Sequence, residues 1–190
     1  MRFKISSMLA VAVASLALVA IPVTTASAAV HVKPLLASYG STAPITNVNS
    51  GLCLSVPGAS KASAAPVDQW ACGPNGDGHL YPDQEWTTED DPNGNGFYIV
   101  NVNSGECLSV PGASKTPGVD VNLFACSPSY PDQDWGLEFS DGGLTETLVN
   151  VNSGLCLSVP GASTNQGVDV NLWACGPNGS GALYPDQYWD

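Results

Sequence analysis

Basic side chains are almost missing from this sequence. Five of its 190 residues are Lys or Arg against 17 Asp or Glu, and Arg2 is its one arginine. Phosphate backbones and anionic lipid surfaces are gripped through Lys and Arg, so nucleic acid and membrane drop out as partners. Helical periodicity is absent after the first thirty residues, and no apolar run there is long enough to span a bilayer. The CxxC-type spacing of zinc sites is absent too, which leaves no metal and no cofactor motif to assign. The stretch Asp91-Pro-Asn93-Gly-Asn95-Gly96 opens like a calcium loop, but its twelfth position is Val102 instead of a chelating glutamate. It reads as a turn between strands. The two histidines, His31 and His79, stand near no nucleophile pattern. Paired carboxylates in so acidic a chain say nothing specific about glycoside cleavage. The reading is of a protein that is not an enzyme.

What is present begins with an export signal. Arg2 and Lys4 precede an apolar run over residues 8–21, and Ala26-Ser27-Ala28 offers small residues for cleavage. The run is too short for a transmembrane anchor, which needs about 20 residues. Residues 1–28 therefore read as a signal peptide and the protein as secreted and extracellular. The mature chain, residues 29–190, keeps Lys33, Lys61 and Lys115 against all 17 acidic residues, a formal charge of −14. Such acidity suits solubility in an exported protein.

One phrase organises the rest. Asn-Val-Asn-Ser-Gly-x-Cys-Leu-Ser-Val-Pro-Gly-Ala-Ser starts at Asn47, Asn101 and Asn150, and each unit closes with Tyr-Pro-Asp-Gln-x-Trp at Trp86, Trp135 and Trp189. A second cysteine follows the first by 19 positions in every unit. In an oxidising compartment six such cysteines favour three disulfides, and the repeat selects Cys53–Cys72, Cys107–Cys126 and Cys156–Cys175. Each closes a loop of about 20 residues, worth on the order of 3 kcal/mol in the chain-entropy model.

Short β-rich runs enter the phrase at residues 97–100 and 147–149, with residues 44–46 a weaker counterpart, and Asn-Ser-Gly and Val-Pro-Gly-Ala-Ser read as turns. This predicts an all-β chain with threefold internal symmetry and repeats at about 44–95, 96–144 and 145–190. The third repeat ends at Trp189-Asp190 without a last strand; residues 30–36, within 30–43, are expected to close it. Alternation places Leu54 and Val56 on the core face, with Val119, Val121, Leu123 and Ala125. The opposite face then carries Ser, Asn and an aromatic ring beside each cystine, on the outside. Two readings of that ring stand side by side. Loop residues such as Leu80 or Tyr81 pack over it, or it is a flat platform for a sugar.

Three units of Gly-x-Cys-Leu-x-Val, then Val-x-Leu-Trp-x-Cys, then Gln-x-Trp resemble the ricin B-type lectins, over about residues 44–190. The chain is similar to secreted, single-domain members of bacterial type. The resemblance implies a β-trefoil, a carbohydrate partner and no catalysis. It also implies site residues: Ser55, Asp68, Trp70, Asp83 and Gln84 in unit one; Ser109, Asn122, Phe124, Asp132 and Gln133 in unit two; Ser158, Asn171, Trp173, Asp186 and Gln187 in unit three.

The departure is a serine where the family places its key aspartate, in all three units. A carboxylate holding two sugar hydroxyls outbids a neutral hydroxyl by about tenfold or more in affinity. Asp83, Asp132 and Asp186 are the candidates to supply the missing carboxylate, while the glutamines are expected in part to tie the turn. Unit one has Gln69 where the others have core leucines, Leu123 and Leu172, and its strand is expected to sit differently. Glycine-rich insertions at residues 73–78 and 176–181 would rim sites one and three. The leading expectation is a monomeric lectin with up to three weak sites, the third strongest. The alternative is a disulfide-stapled scaffold whose loops bind a protein, in the manner of an inhibitor.

Overall fold

Asparagine side chains set the frame. The first Asn of each phrase is fully buried, and its two amide ends do different work. The oxygen of Asn101 accepts the Ser104 N–H at 3.1 Å, closing the Asn-Ser-Gly turn, while its nitrogen donates to the Asp83 carbonyl at 2.9 Å. Asn150 reaches the Asp132 carbonyl and Asn47 the Asp186 carbonyl, each at 2.8 Å. The second Asn repeats the move one turn away. Asn49, Asn103 and Asn152 donate to the carbonyls of Ala162, Ala59 and Ala113 at 3.0, 3.0 and 3.1 Å. Each phrase is thus stapled to the unit before it, and unit one to unit three, which closes a ring.

The computed structural model describes residues 41–73, 80–140, 145–176 and 184–190, all within one compact unit. The expected signal peptide, the strand expected at residues 30–36, both histidines and nearly all of the two glycine-rich insertions lie outside the described residues. Unit one carries β1 (Cys53–Ser55), β2 (Asp68–Trp70) and β3 (Trp86–Asp90). Unit two carries β4 (Phe97–Asn101), β5 (Cys107–Ser109), β6 (Asn122–Phe124) and β7 (Trp135–Ser140). Unit three carries β8 (Thr145–Asn150), β9 (Leu155–Ser158), β10 (Val168–Asp169) and β11 (Asn171–Trp173). The only helices among the described residues are single 3-10 turns at Pro-Gly-Ala and Pro-Asp-Gln.

The threefold pattern is visible in the pairing. Trp86 faces Asn101 and Trp135 faces Asn150 in antiparallel hairpins, and Trp189 bridges Asn47 in the same sense. The barrel closes by a second set, Ala43 with Trp86, Phe97 with Trp135 and Glu146 with Trp189. This is the β-trefoil. Residues 46–48 close the third unit against residues 188–190, with Thr46 and Asp190 exchanging backbone bonds at 2.6 and 2.8 Å.

Inside, the three Gln-x-Trp indoles are buried, and each donates its N–H to a core leucine carbonyl, Leu54, Leu108 or Leu157, at 3.0–3.1 Å. A buried indole without such a partner would forfeit its polar end. Leu54, Val56, Val121 and Leu123 pack in the core as expected. Ala125 does not: it is exposed, because β6 ends at Phe124 and the Ala125 carbonyl turns to accept Gln133 Nε2 at 3.0 Å. The disulfides are Cys53–Cys72, Cys107–Cys126 and Cys156–Cys175, with Cα separations of 5.0–5.1 Å.

Gln69 corrects a second expectation. β2 keeps the register of its siblings, Cys53 opposite Trp70 and Ser55 opposite Asp68, as Cys107 stands opposite Phe124 and Ser109 opposite Asn122. The strand can hold a buried amide because every end of it is spent. Gln69 Oε1 accepts from Ser50 Oγ, and Nε2 donates to the Ser163 and Asn165 carbonyls, all at 2.8 Å.

The loop at residue 91 is a turn, held by Asp91, whose carboxylate accepts the Asn93 and Asn95 N–H groups at 3.0 Å. Burial alone would raise the Asp91 pKa, yet these bonds and one from Tyr98 hold it below the usual value. Its neighbour Asp134 fares worse. Burial, then Asp91, then Asp132 push Asp134 up to about 6, and its Oδ1 has no partner.

Two outcomes follow. Asn101→Ala strands the buried Asp83 carbonyl and opens the Ser104 turn; it should cost about 1–3 kcal/mol in denaturant unfolding, with the disulfides intact. Asp134→Asn should act in the other direction. A carboxyl whose folded pKa is raised binds more protons folded than unfolded, so it costs stability as pH rises from about 4 to 6. The variant should gain about 1–2 kcal/mol at pH 7.5 and nothing near pH 4, read from paired denaturation curves.

Candidate functional site

Three clefts of about 430, 460 and 480 Å3 lie in units one, two and three, one to a unit. Each is built from the same pieces. The floor is the serine of Cys-Leu-Ser and the aspartate of Pro-Asp-Gln. One wall is the aromatic ring two residues before the second cysteine; the tyrosine of Tyr-Pro-Asp-Gln and the Pro-Gly-Ala turn supply the rest.

The floor answers the question the serines raised. Ser55 Oγ donates to Asp83 Oδ2 at 2.7 Å, and the Val56 N–H joins the same oxygen at 3.2 Å. Ser109 and Val110 hold Asp132 in the same way at 2.6 and 3.0 Å, and Ser158 donates to Asp186. These carboxylates are buried at their bases yet line the clefts. A carboxylate therefore stands in every floor, brought by the Pro-Asp-Gln turn and held by the serine. One oxygen is spent on the protein, which leaves lone pairs for a ligand.

The backbone places these groups with some strain. Pro-Gly-Ala is a turn in which both Gly and Ala are left-handed, with φ of 65° and 50° at Gly58 and Ala59 and closely similar values in the other units. An alanine in that region costs on the order of 1 kcal/mol. The turn keeps the shape because the next unit's asparagine holds the Ala carbonyl.

The rings are uncovered. Trp70, Phe124 and Trp173 are 44%, 37% and 46% exposed, and Tyr81, Tyr130 and Tyr184 are comparably open. Leu80 is half-buried and is not among the described residues that line the three clefts. In unit two the ring and the tyrosine meet edge to face, their centroids 5.6 Å apart. Ring size follows what lies next to it. A methyl added at Gly167 would sit 3.3 Å from the Trp70 indole, and one at Gly118 would sit 3.4 Å from Trp173. The matching position against Phe124 is Ala64, whose N–H donates to the Leu123 carbonyl as Gly118 does to Leu172 and Gly167 to Gln69. The smaller ring stands where the neighbour carries a methyl.

Twelve of the fifteen residues expected at the sites come together in the clefts: Ser55, Asp68, Trp70 and Asp83; Ser109, Asn122, Phe124 and Asp132; Ser158, Asn171, Trp173 and Asp186. Gln84, Gln133 and Gln187 do not. All three are fully buried, and each amide spans the turn between the second cysteine and Pro-Asp-Gln. Gln84 donates to the Ala71 carbonyl at 2.8 Å and accepts the Gly73 N–H at 2.7 Å. Gln133 and Gln187 repeat both bonds. The tyrosines went unassigned in sequence, although they open a thrice-repeated motif and are too large to expose without a use.

Unit one differs electrostatically. Asp68 takes the place of Asn122 and Asn171 and is 4% exposed; Oδ1 is unpartnered in all three. Burial, then Asp169, then Asp83 raise its pKa to about 6.

Comparison with known proteins agrees with this geometry. The family model described as ricin-type beta-trefoil lectin domain-like matches residues 38–124 and 82–173. No curated protein matches the sequence. Among solved structures, the designed threefold-symmetric protein ThreeFoil is 28% identical with a TM-score of 0.64, over 78% of this chain and 95% of that one. An exo-beta-1,3-galactanase from Clostridium thermocellum is 27% identical, TM-score 0.64, over 79% of this chain. The hemolytic lectin CEL-III is 28% identical, TM-score 0.58, over 78% of this chain. In those last two the match spans 29% of the longer protein. With the two family matches together covering well over half of its length, this chain belongs to the ricin-type β-trefoil lectin family.

Proposed function

We propose that this is a secreted, non-catalytic carbohydrate-binding protein with three sites, the third the strongest. The observation that carries the reading is the floor: a carboxylate held on a serine hydroxyl beside an exposed aromatic ring. An apolar ring face takes the C–H face of a sugar, and a carboxylate accepts from its hydroxyls in charge-assisted bonds. Membership of a lectin family and likeness to a lectin at 28% identity support it. Secretion rests on the N-terminal signal pattern and on three disulfides, which persist in oxidising compartments. Shallow sites with one or two carboxylates are individually weak, and three on one rigid body gain by acting together on a polymer or a decorated surface.

Unit three is favoured because it alone joins an indole, an amide and an aspartate, as Trp173, Asn171 and Asp186. Unit two has the smaller ring, and unit one has a second carboxylate in place of the amide. Binding of the disulfide-bonded protein to a glycan array and to insoluble polysaccharides tests the reading. Retention on at least one glycan is expected, and none at millimolar protein would overturn it.

Two variants sharpen the test. Trp173→Ala should lower affinity by about 1–2 kcal/mol, more than Phe124→Ala or Trp70→Ala, in titrations where circular dichroism shows the fold unchanged. Asp186→Ala should lower it by a further factor of ten or more, because it removes the charged acceptor. Equal losses at all three rings would show equivalent sites, and no loss at Trp173 would mark the ring as a packing residue.

A further inference from the structure

Within the carbohydrate reading, site one is not a copy of its siblings. Its cleft is lined by Asp68 and Asp83 together with Trp70 and Tyr81, and no basic side chain among the described residues lines it. Asp68 occupies the register slot that Asn122 and Asn171 fill, opposite Ser55 as they stand opposite Ser109 and Ser158. Asp68 is 4% exposed, and its Oδ1 has no hydrogen-bond partner; the Oδ1 atoms of Asn122 and Asn171 have none either, so what sets Asp68 apart is its charge. Asp83 faces it from the Pro-Asp-Gln turn and Asp169 from β10, its direct partner across the strands. Two carboxylates thus face the buried Asp68, and no basic side chain among the described residues lines the cleft.

We infer that site one selects a sugar bearing a free ammonium group, a hexosamine, with Asp68 as the residue that sets this preference. The ammonium supplies the positive charge the cleft lacks, and its N–H groups donate to the carboxylates that line it, Asp68 and Asp83. Exposed Trp70 and Tyr81 rings add favourable faces for a cation. A sugar is preferred over a lysine side chain because the cleft keeps the rest of the shared floor. Ser55 still holds Asp83 as Ser109 holds Asp132, and the platform is still an indole. A lysine side chain would meet the carboxylates but has no ring face to lay on the Trp70 indole. Sites two and three, with amides at the same slot, have no reason to prefer an amine.

Burial and the two facing aspartates hold Asp68 at about 6, so it is charged at neutral pH and discharged in mild acid. The preference should therefore be full at pH 7.5 and fade as pH falls through about 6. Salt should weaken it as well.

The test is calorimetric titration with D-glucosamine, N-acetyl-D-glucosamine, D-galactosamine, N-acetyl-D-galactosamine and lysine amide. It uses the disulfide-bonded protein carrying Phe124→Ala and Trp173→Ala, which leaves site one as the remaining platform. An amine-over-acetyl preference of about tenfold is expected, lost on adding Asp68→Asn, which restores the sibling residue and so keeps the fold. In the otherwise intact chain, Asn171→Asp should create the same preference at site three. Equal binding of amine and N-acetyl forms would overturn the inference and leave the lectin reading standing. A preference that survives Asp68→Asn would overturn the role of Asp68. Lysine amide binding as tightly as the hexosamines would overturn the choice of a sugar. Failure of every sugar, on the intact chain as well, would instead count against the function proposed above.

Discussion

The interaction everything else depends on is the amide of the first asparagine in each phrase. It sits in the dry interior with both ends spent, one on its own turn and one on the backbone of the preceding unit's Pro-Asp-Gln. No single repeat could bury this group well, because the acceptor belongs to a neighbour. Three repeats in a ring satisfy all three amides at once. The second asparagine adds a parallel bond to the strained Pro-Gly-Ala turn. The phrase that dominates the sequence is therefore chiefly a set of joints between repeats, with one serine left to hold the aspartate of the cleft.

The joints also place the site. The carbonyl that Asn101 holds is that of Asp83, whose side chain meets Ser55 on the floor of site one. The same relation links Asn150 to site two and Asn47 to site three. Each cleft thus belongs to one repeat and is oriented by the next. This gives the floor a rigidity that a lone hairpin and turn would lack, and rigid placement of the polar groups limits the ordering cost when a ligand arrives.

Much of this was readable in the sequence because it repeats. Equal cysteine spacing gave the disulfides, the repeat gave an all-β chain of threefold symmetry, and the family resemblance carried by Gln-x-Trp implied the trefoil. The ring positions were readable from strand alternation, since β2, β6 and β11 end with an aromatic pointing away from the core. Other features were out of reach for physical reasons. That Asp83 meets Ser55 across 28 positions depends on where a turn lands, which spacing does not fix. Gln69 looked like a misfit because its partners, Ser163 and Asn165, come from unit three, some 95 positions away. The glutamines of Gln-x-Trp read as site residues through the family resemblance, and the structure spends them on the turn. Asp134 resembles any variable residue in the motif until Asp91 is seen beside it.

The central claim is that the serine-held carboxylate, not the serine itself, is the polar anchor for a sugar. A crystal structure of the protein with a bound saccharide tests it most directly. The account predicts a sugar ring against the Trp173 indole with a hydroxyl donating to an Asp186 carboxylate oxygen. A sugar bound at the same ring without touching Asp186, or bound only away from the three clefts, would contradict it.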